Sequence, residues 1–288
     1  MGKREPNDPR NKQVSQFVRL VAELRPLTFV MENVVGLRDS RYAELISSCY
    51  RQLQDGGYIV SEWKLNAANY GISQERTRLF WVGSLHGEIP IPTPQQTSVT
   101  VKDAIADLMV LEPQLGFERD AVAIPTDPKA SKYTRSLDLL FQRTGPGHPN
   151  LLTGCTLTNH SESVRKRFLT TATGQLEPIS RLYRLDWDGF CPTRRAGTAS
   201  DHGGHTAARP IHPEFPRVIT VREAARLSSF PDWFQFDPTK WRGYRQVGNA
   251  VPPLLAYAVG KQILTTALFN QFQQQRAEGQ TMSSSLVA

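Results

Sequence analysis

The chain is short of cysteine, of long apolar runs and of acidic surplus, and each shortage closes off a class of protein. Its three cysteines, Cys49, Cys155 and Cys191, are too few and too scattered for a disulfide framework. No CxxC pair or Cys/His cluster occurs, so no metal site is expected. No segment is apolar over the ~20 residues a membrane helix needs. No charged-then-apolar leader opens the chain either, so the reading is of a cytoplasmic protein without membrane contact. Internal repeats are missing too, which excludes solenoids and propellers.

What is present is an ordinary apolar share of 39% over 288 residues, enough for a substantial core in one or two domains. Lys and Arg number 34 against 27 Asp and Glu, a formal net charge of +7. That balance favours a polyanionic partner, although many basic proteins bind nothing acidic.

Asp8-Pro9 reads as an N-cap with proline in the first helical turn, and Val14, Phe17, Val18, Val21 and Leu24 share one helical face ahead of Pro26. Thr28 to Met31 has the uniformly apolar character of a buried parallel strand and stops at a carboxylate, Glu32. Leu45, Ile46, Cys49 and Leu53 trace a second helix, closed by Gly56-Gly57. Tyr58 to Leu65 and Arg78 to Gly83 read as two more strands around the loop NAANYGISQE. These elements predict an α/β fold with part of a doubly wound sheet. From Gly87 to Pro210 periodicity fades, apart from an expected helix at Val101 to Leu108, which points to a loop-rich insert. Regular structure returns with the T-x-x-E capping box of Thr220 and Glu223 and with a final helix from Leu254 to about Phe272. The tail beyond it, Gln273 to Ala288, is expected to be disordered.

Chemistry-bearing residues stand at element ends. Glu32, flanked by Asn33, sits at the carboxyl end of a strand, where open α/β sheets place ligands. A carboxyl there can grip an amidine-like edge such as cytosine's, donating to a ring nitrogen when protonated and accepting from the exocyclic amine; it equally fits a loop cap. Arg76 and Arg78 stand at the start of a strand and are expected to point to opposite faces, one into the cleft and one bracing the sheet. A guanidinium aimed at a base carbonyl binds it and stabilises charge developing on the ring.

ENV at Glu32, NAANYGISQERTR, IHPEFPRVITVREAARLSSFPDWF and YRQVGNAVPPLLA, in that order and spacing, resemble the late motifs of the cytosine-5 DNA methyltransferases of the bacterial restriction-modification type. GKREPNDPRN at the front and LDWDGFCPTRRAG extend the resemblance over nearly the whole chain. It implies a partial Rossmann-like methyltransferase sheet, S-adenosylmethionine as cofactor and double-stranded DNA as partner. On that basis Met1 to His86 and Ile211 to Phe272 belong to the catalytic domain, and Gly87 to Pro210 is the target-recognition domain. Glu32 and Asn33 hold and shape the site of an everted cytosine, Arg78 meets its carbonyl, and Gln74 and Arg76 support the loop. Asn249 lies beside the methionine portion of the cofactor. Lys3 and Arg10 are candidates for phosphate contacts, as are Arg165, Lys166, Arg167, Arg181, Arg184, Arg194 and Arg195, each of which alone also fits a solvated basic face. Thr193 to Gly197 is the expected specificity segment. Arg194 and Ser228 depart from the family, which usually has an apolar residue and a glutamine there.

The larger departure is chemical. The family attacks the cytosine ring with the thiolate of a Pro-Cys dipeptide, because the ring is too electron-rich to accept a methyl group unaided. No Pro-Cys occurs in this sequence, nor does the family's glycine-rich cofactor loop, and neither follows Phe272 as a circular permutant would require. The expectation is therefore a C-terminal portion or subunit that needs an N-terminal half for stable folding and turnover. A noncatalytic DNA-binding remnant is the alternative.

Overall fold

The computed structural model describes residues 12–118, 120–123, 132–141, 151–193 and 209–266. The expected cap at Asp8-Pro9, Lys3, Arg10, Arg194, Arg195 and the tail after Phe272 lie outside the described residues. The chain divides into two compact units: one of residues up to Asn66, Thr77–Thr93 and those from Tyr257 onward, the other of Ala67–Arg76 and Pro94–Ala256.

The first unit is α/β. Helix α1 (Lys12–Leu24) and helix α2 (Ala43–Asp55) alternate with strands β1 (Thr28–Val34), β2 (Ile59–Asn66) and β3 (Thr77–Ser84). The order across the sheet is β1-β3-β2. Both pairings are antiparallel, so the parallel character expected of Thr28 to Met31 is corrected: its neighbour is the last of the three strands. Glu32 does not end β1 either, because pairing continues through Asn33 opposite Leu79 and Val34 opposite Arg78.

Alternation along the strands explains the packing. Phe29 and Met31 of β1 and Leu79 and Trp81 of β3 fall on one face, where Val14, Val18 and Val21 of α1 and Cys49 and Leu53 of α2 complete a core. The opposite face carries Glu32, Arg78, Phe80 and Trp63. After α2 the chain turns at Gly57, whose φ of 88° lies in the left-handed region that glycine accepts without strain.

Gly83 permits a close approach, since a β-carbon there would overlap the Phe29 ring. That ring is held edge-on by Phe17 and Tyr58, at centroid separations of 5.8 and 5.2 Å, and has little room to retreat. Gly83→Ala is accordingly expected to destabilise the unit by about 1–3 kcal/mol. A lowered urea midpoint checks this; an unchanged midpoint contradicts it.

The second unit is built around helices. Helix α3 (Val101–Ile105) is capped by Thr100 and Asp103 and tightens into a 3-10 segment, Ala106–Gln114, so the helix expected to Leu108 changes pitch at Ala106. A two-residue pair, β4 (Val122–Ala123) and β5 (Leu151–Leu152), and helices α4 (Lys132–Leu140) and α5 (Glu162–Thr170) lie in the region read as irregular. That reading failed because the buried stripes are narrow: α5 buries Phe168 alone and is otherwise rich in charge. Helix α6 (Val221–Arg226) begins at the predicted capping box, with Thr220 and Glu223 bonding reciprocally. Helix α7 (Lys240–Asn249) carries YRQVGN, and helix α8, 253–266, starts in this unit and runs on into the residues of the first from Tyr257. The core joins Val101, Ile105, Leu137, Leu152, Ile219 and Leu227.

Buried charge sits beside that core. Arg217 binds Glu223 through Nη1 and Nη2, both at 2.9 Å, and also reaches Glu112 at 2.6 Å. His212 accepts from the Glu214 and Phe215 amides through Nδ1, which leaves Nε2 protonated, 3.5 Å from Glu223. Arg226 is clasped by Asp232 and Asp107.

Candidate active site

In the first unit the register brings a carboxylate and a guanidinium together. Glu32 lies opposite Phe80, two positions along β3 from Arg78, so the two are diagonal neighbours on one face, within reach for long side chains. Arg78 Nε is 2.9 Å from Glu32 Oε1, and Arg78 Nη1 donates to the Thr77 carbonyl at 2.8 Å. The side chains are 13% and 28% exposed, sheltered enough for strong electrostatics yet open to a ligand. Burial lowers the Arg78 pKa, and Glu32 opposes that shift. The pair presents an acceptor and donors side by side, the complement of a pyrimidine edge on which ring nitrogen, amine and carbonyl adjoin. Asn33 alternates to the other face, and its Oδ1 accepts from the Val34 amide at 2.8 Å, so the register does not bring it to this pair.

Arg76 corrects the expectation that it and Arg78 flank a strand on opposite faces. Residues two apart on one strand would share a face, and Arg76 is not on the strand at all, because β3 begins at Thr77. Arg76 belongs to the second unit, is 2% exposed and donates through Nη2 to the Gly248 carbonyl at 3.0 Å. Gln74 is buried beside it, bridged through the backbone to Cys191, with Ser228 Oγ 3.5 Å from its Oε1. Ser228 thus occupies the family's glutamine position as a buried partner of Gln74. The Ala67 amide donates to the Arg76 carbonyl at 2.9 Å and closes the NAANYGISQER loop. Asn249 is exposed at the end of α7, next to the Gly248 carbonyl that Arg76 holds.

Thr193 donates to the Glu75 carbonyl at 2.5 Å. Both line a cleft of about 860 Å³ in the second unit, with Gln175, Arg181, Tyr183 and Arg209. Arg184 is not available to DNA: it is buried and donates to the carbonyls of Phe168, Leu169, Thr171 and Pro213. Arg167 lies 3.4 Å from Glu177, whereas Arg165, Lys166 and Arg181 are exposed. Sequence reading missed the cleft's aromatic and glutamine lining; the GQLEPISRLY run carries it but has no periodicity to announce it.

The cysteines are poor nucleophiles. Cys49, Cys155 and Cys191 are 1%, 2% and 0% exposed. Burial raises the Cys49 thiol and pushes Cys155 up to about 12, far from the thiolate that attack requires. Among the described residues no group of side chains has metal-binding character, and no helix is long and apolar enough to cross a membrane.

A family model for the C-5 cytosine-specific DNA methylases matches residues 1–265, and the chain belongs to that family. It is 48% identical over 278 residues to the type II methyltransferase M.XorII of Xanthomonas oryzae, with 92% of this chain aligned to 64% of that protein. The type II methyltransferase M.DdeI of Desulfomicrobium norvegicum is 31% identical, over 91% of this chain and 68% of its own. The chain therefore spans about two thirds of the length of these relatives. A crystal structure described as a DNA modification methyltransferase encoded within an E. coli prophage superposes with a TM-score of 0.71 at 35% identity, covering 90% of this chain and 74% of that one. The fold is the Rossmann-like methyltransferase fold of these proteins.

Proposed function

We propose that this chain holds the target base and reads the DNA site for a DNA (cytosine-5)-methyltransferase of restriction-modification type, and that the attacking cysteine comes from polypeptide outside these residues. The observation that carries this reading is the Glu32–Arg78 pair, 2.9 Å apart on one sheet face. An everted cytosine replaces their mutual contact: Glu32 takes the ring nitrogen and amine, and Arg78 turns its donors to the carbonyl. As an external thiolate adds to the ring, electron density moves toward the carbonyl and ring nitrogen, where the guanidinium and the carboxyl stabilise it. Gln74 and Arg76 keep the preceding loop in place. Residues Gly87 to Pro210 serve recognition, with Thr193 at the cleft, and Lys3, Arg10, Arg194 and Arg195 contact DNA.

The residues present fit one end of S-adenosylmethionine. Asn249 is an exposed amide on a helix end fixed through Arg76 and Gly248, suited to the polar methionine portion. When bound, the cofactor supplies an electrophilic methyl group. The remainder of its contacts belong to the segment that carries the cysteine.

The test is methyl transfer from tritiated cofactor to DNA. The purified chain alone is expected to show none, and coexpression with an N-terminal segment bearing a Pro-Cys motif to restore it. Turnover by the isolated chain overturns the external-thiol assignment. Inactivity of a well-folded complex overturns the enzymatic reading and leaves a noncatalytic DNA-binding module.

A further inference from the structure

The chain leaves helix α6 through a left-handed turn at Ser229. The Ser229 amide donates to the Arg226 carbonyl at 2.9 Å and the Phe230 amide to the Ala225 carbonyl at 3.0 Å, the paired backbone bonds of a left-handed helix stop. Ser229 takes a φ of 61° there, a conformation that glycine adopts freely and a residue with a β-carbon adopts at a cost. The helix stop accounts for the backbone but not for the choice of serine.

What the side chain adds is one bond. Ser229 is fully buried, and its Oγ accepts from the Leu254 amide at 3.1 Å. Pro252 and Pro253 have no N–H, so that amide is the first donor of α8, one of the helix-start groups that the helix itself leaves unsatisfied. Glycine would relieve the strain at this position and leave the Leu254 amide without its acceptor.

Between Gly248 and Leu254 runs the turn that carries Asn249. Arg76 holds the start of the turn by donating to the Gly248 carbonyl at 3.0 Å, and Ser229 holds its end. Both anchors are buried, whereas Asn249 between them is exposed. All of these residues belong to the second unit.

We propose that Ser229 is a positioning residue for cofactor binding. Its hydroxyl closes a clamp begun by Arg76, and the clamp keeps the 248–254 turn in one shape, so that the Asn249 amide is already in place for the methionine portion of S-adenosylmethionine. This rests on the functional reading above. A loose turn would have to order itself each time the cofactor bound, and that ordering would be subtracted from affinity.

Ser229→Gly is the informative variant, because it keeps the backbone turn and removes the hydroxyl alone. Its urea midpoint is expected to stay close to that of the unsubstituted chain. Ser229→Ala, which lacks the hydroxyl and keeps the strain, is expected to give the same changes below with a lower midpoint. In the full chain, hydrogen exchange at the Leu254 amide is expected to quicken about fivefold in Ser229→Gly, with the Phe230 amide unaffected. In the complex with the Pro-Cys segment, affinity for tritiated cofactor is expected to weaken about fivefold and its KM to rise alike, with kcat changing less than about twofold. Because Ser229 acts through Asn249, Ser229→Gly added to Asn249→Ala is expected to weaken cofactor binding little further. Unchanged exchange at Leu254 overturns the clamp. Faster exchange with unchanged cofactor affinity, or full additivity with Asn249→Ala, overturns the positioning role and leaves the functional reading standing. An unsubstituted complex that binds no cofactor overturns the functional reading and the cofactor role of Ser229 with it, whatever the exchange rates show.

Discussion

Glu32→Gln is expected to cut methyl transfer by the reconstituted enzyme roughly 10²–10³-fold while leaving duplex affinity nearly unchanged. Glutamine has the same shape, and its amide can still donate to a ring nitrogen and accept from the amine, so an everted cytosine still fits. It cannot exchange a proton with the ring as charge develops, and it no longer holds the charge of Arg78 in place across the 2.9 Å contact. The loss therefore falls on the transition state and not on binding. Glu32→Ala removes both functions and is expected to weaken retention of the base as well. Single-turnover rates with tritiated cofactor, beside a fluorescence binding isotherm, separate the two. A Glu32→Gln enzyme as fast as the unsubstituted one contradicts the assignment.

Glu223→Ala is expected to lower stability by about 3–5 kcal/mol, because it strips a buried guanidinium of half its partners. Glu223 also caps α6 by accepting from the Thr220 amide at 2.6 Å, so the variant frays the helix start. Glu112 remains on Arg217 and places the effect toward the low end of that range. Thr220→Ala, which loses the cap alone, is expected to cost about 1 kcal/mol. The same network makes the protein acid-sensitive. Burial opposes ionisation of Glu223, but Arg217 and His212 hold its pKa down at about 2 against an ordinary 4.5. Its stabilisation is complete above pH 4.5 and lost as pH falls toward 2. Burial lowers His212 from 6.5 to about 4, so the unfolded chain binds the proton first and stability already declines below pH 6.5. Chemical denaturation at pH 7.5, 5.5 and 4 is expected to show falling midpoints; a flat series contradicts the buried network.

Much of the local structure was legible because its signals are local. The apolar faces of α1 and α2 and the Thr220–Glu223 box are patterns within one turn or two, and they appear where expected except at Leu24, which ends α1 exposed and outside its core. Strand order was not legible, since which strand lies beside β1 depends on a partner some fifty positions away. Nor does a sequence say which arginines are solvated. Arg184, Arg222 and Arg226 read like any others in a basic chain, yet they are buried and spend their donors on carbonyls or carboxylates. The Glu32–Arg78 pair was legible only as two separate motifs; the antiparallel register of β1 and β3 makes them neighbours.

The measurement that bears most directly on the central claim is a crystal structure of this chain, joined by a segment supplying the Pro-Cys thiol, on duplex DNA containing its site. The account predicts an everted cytosine with its nitrogen edge on the Glu32 carboxyl, its carbonyl on Arg78 and the added cysteine against its ring. A cytosine still stacked in the duplex, or one everted into a pocket remote from Glu32, would contradict it.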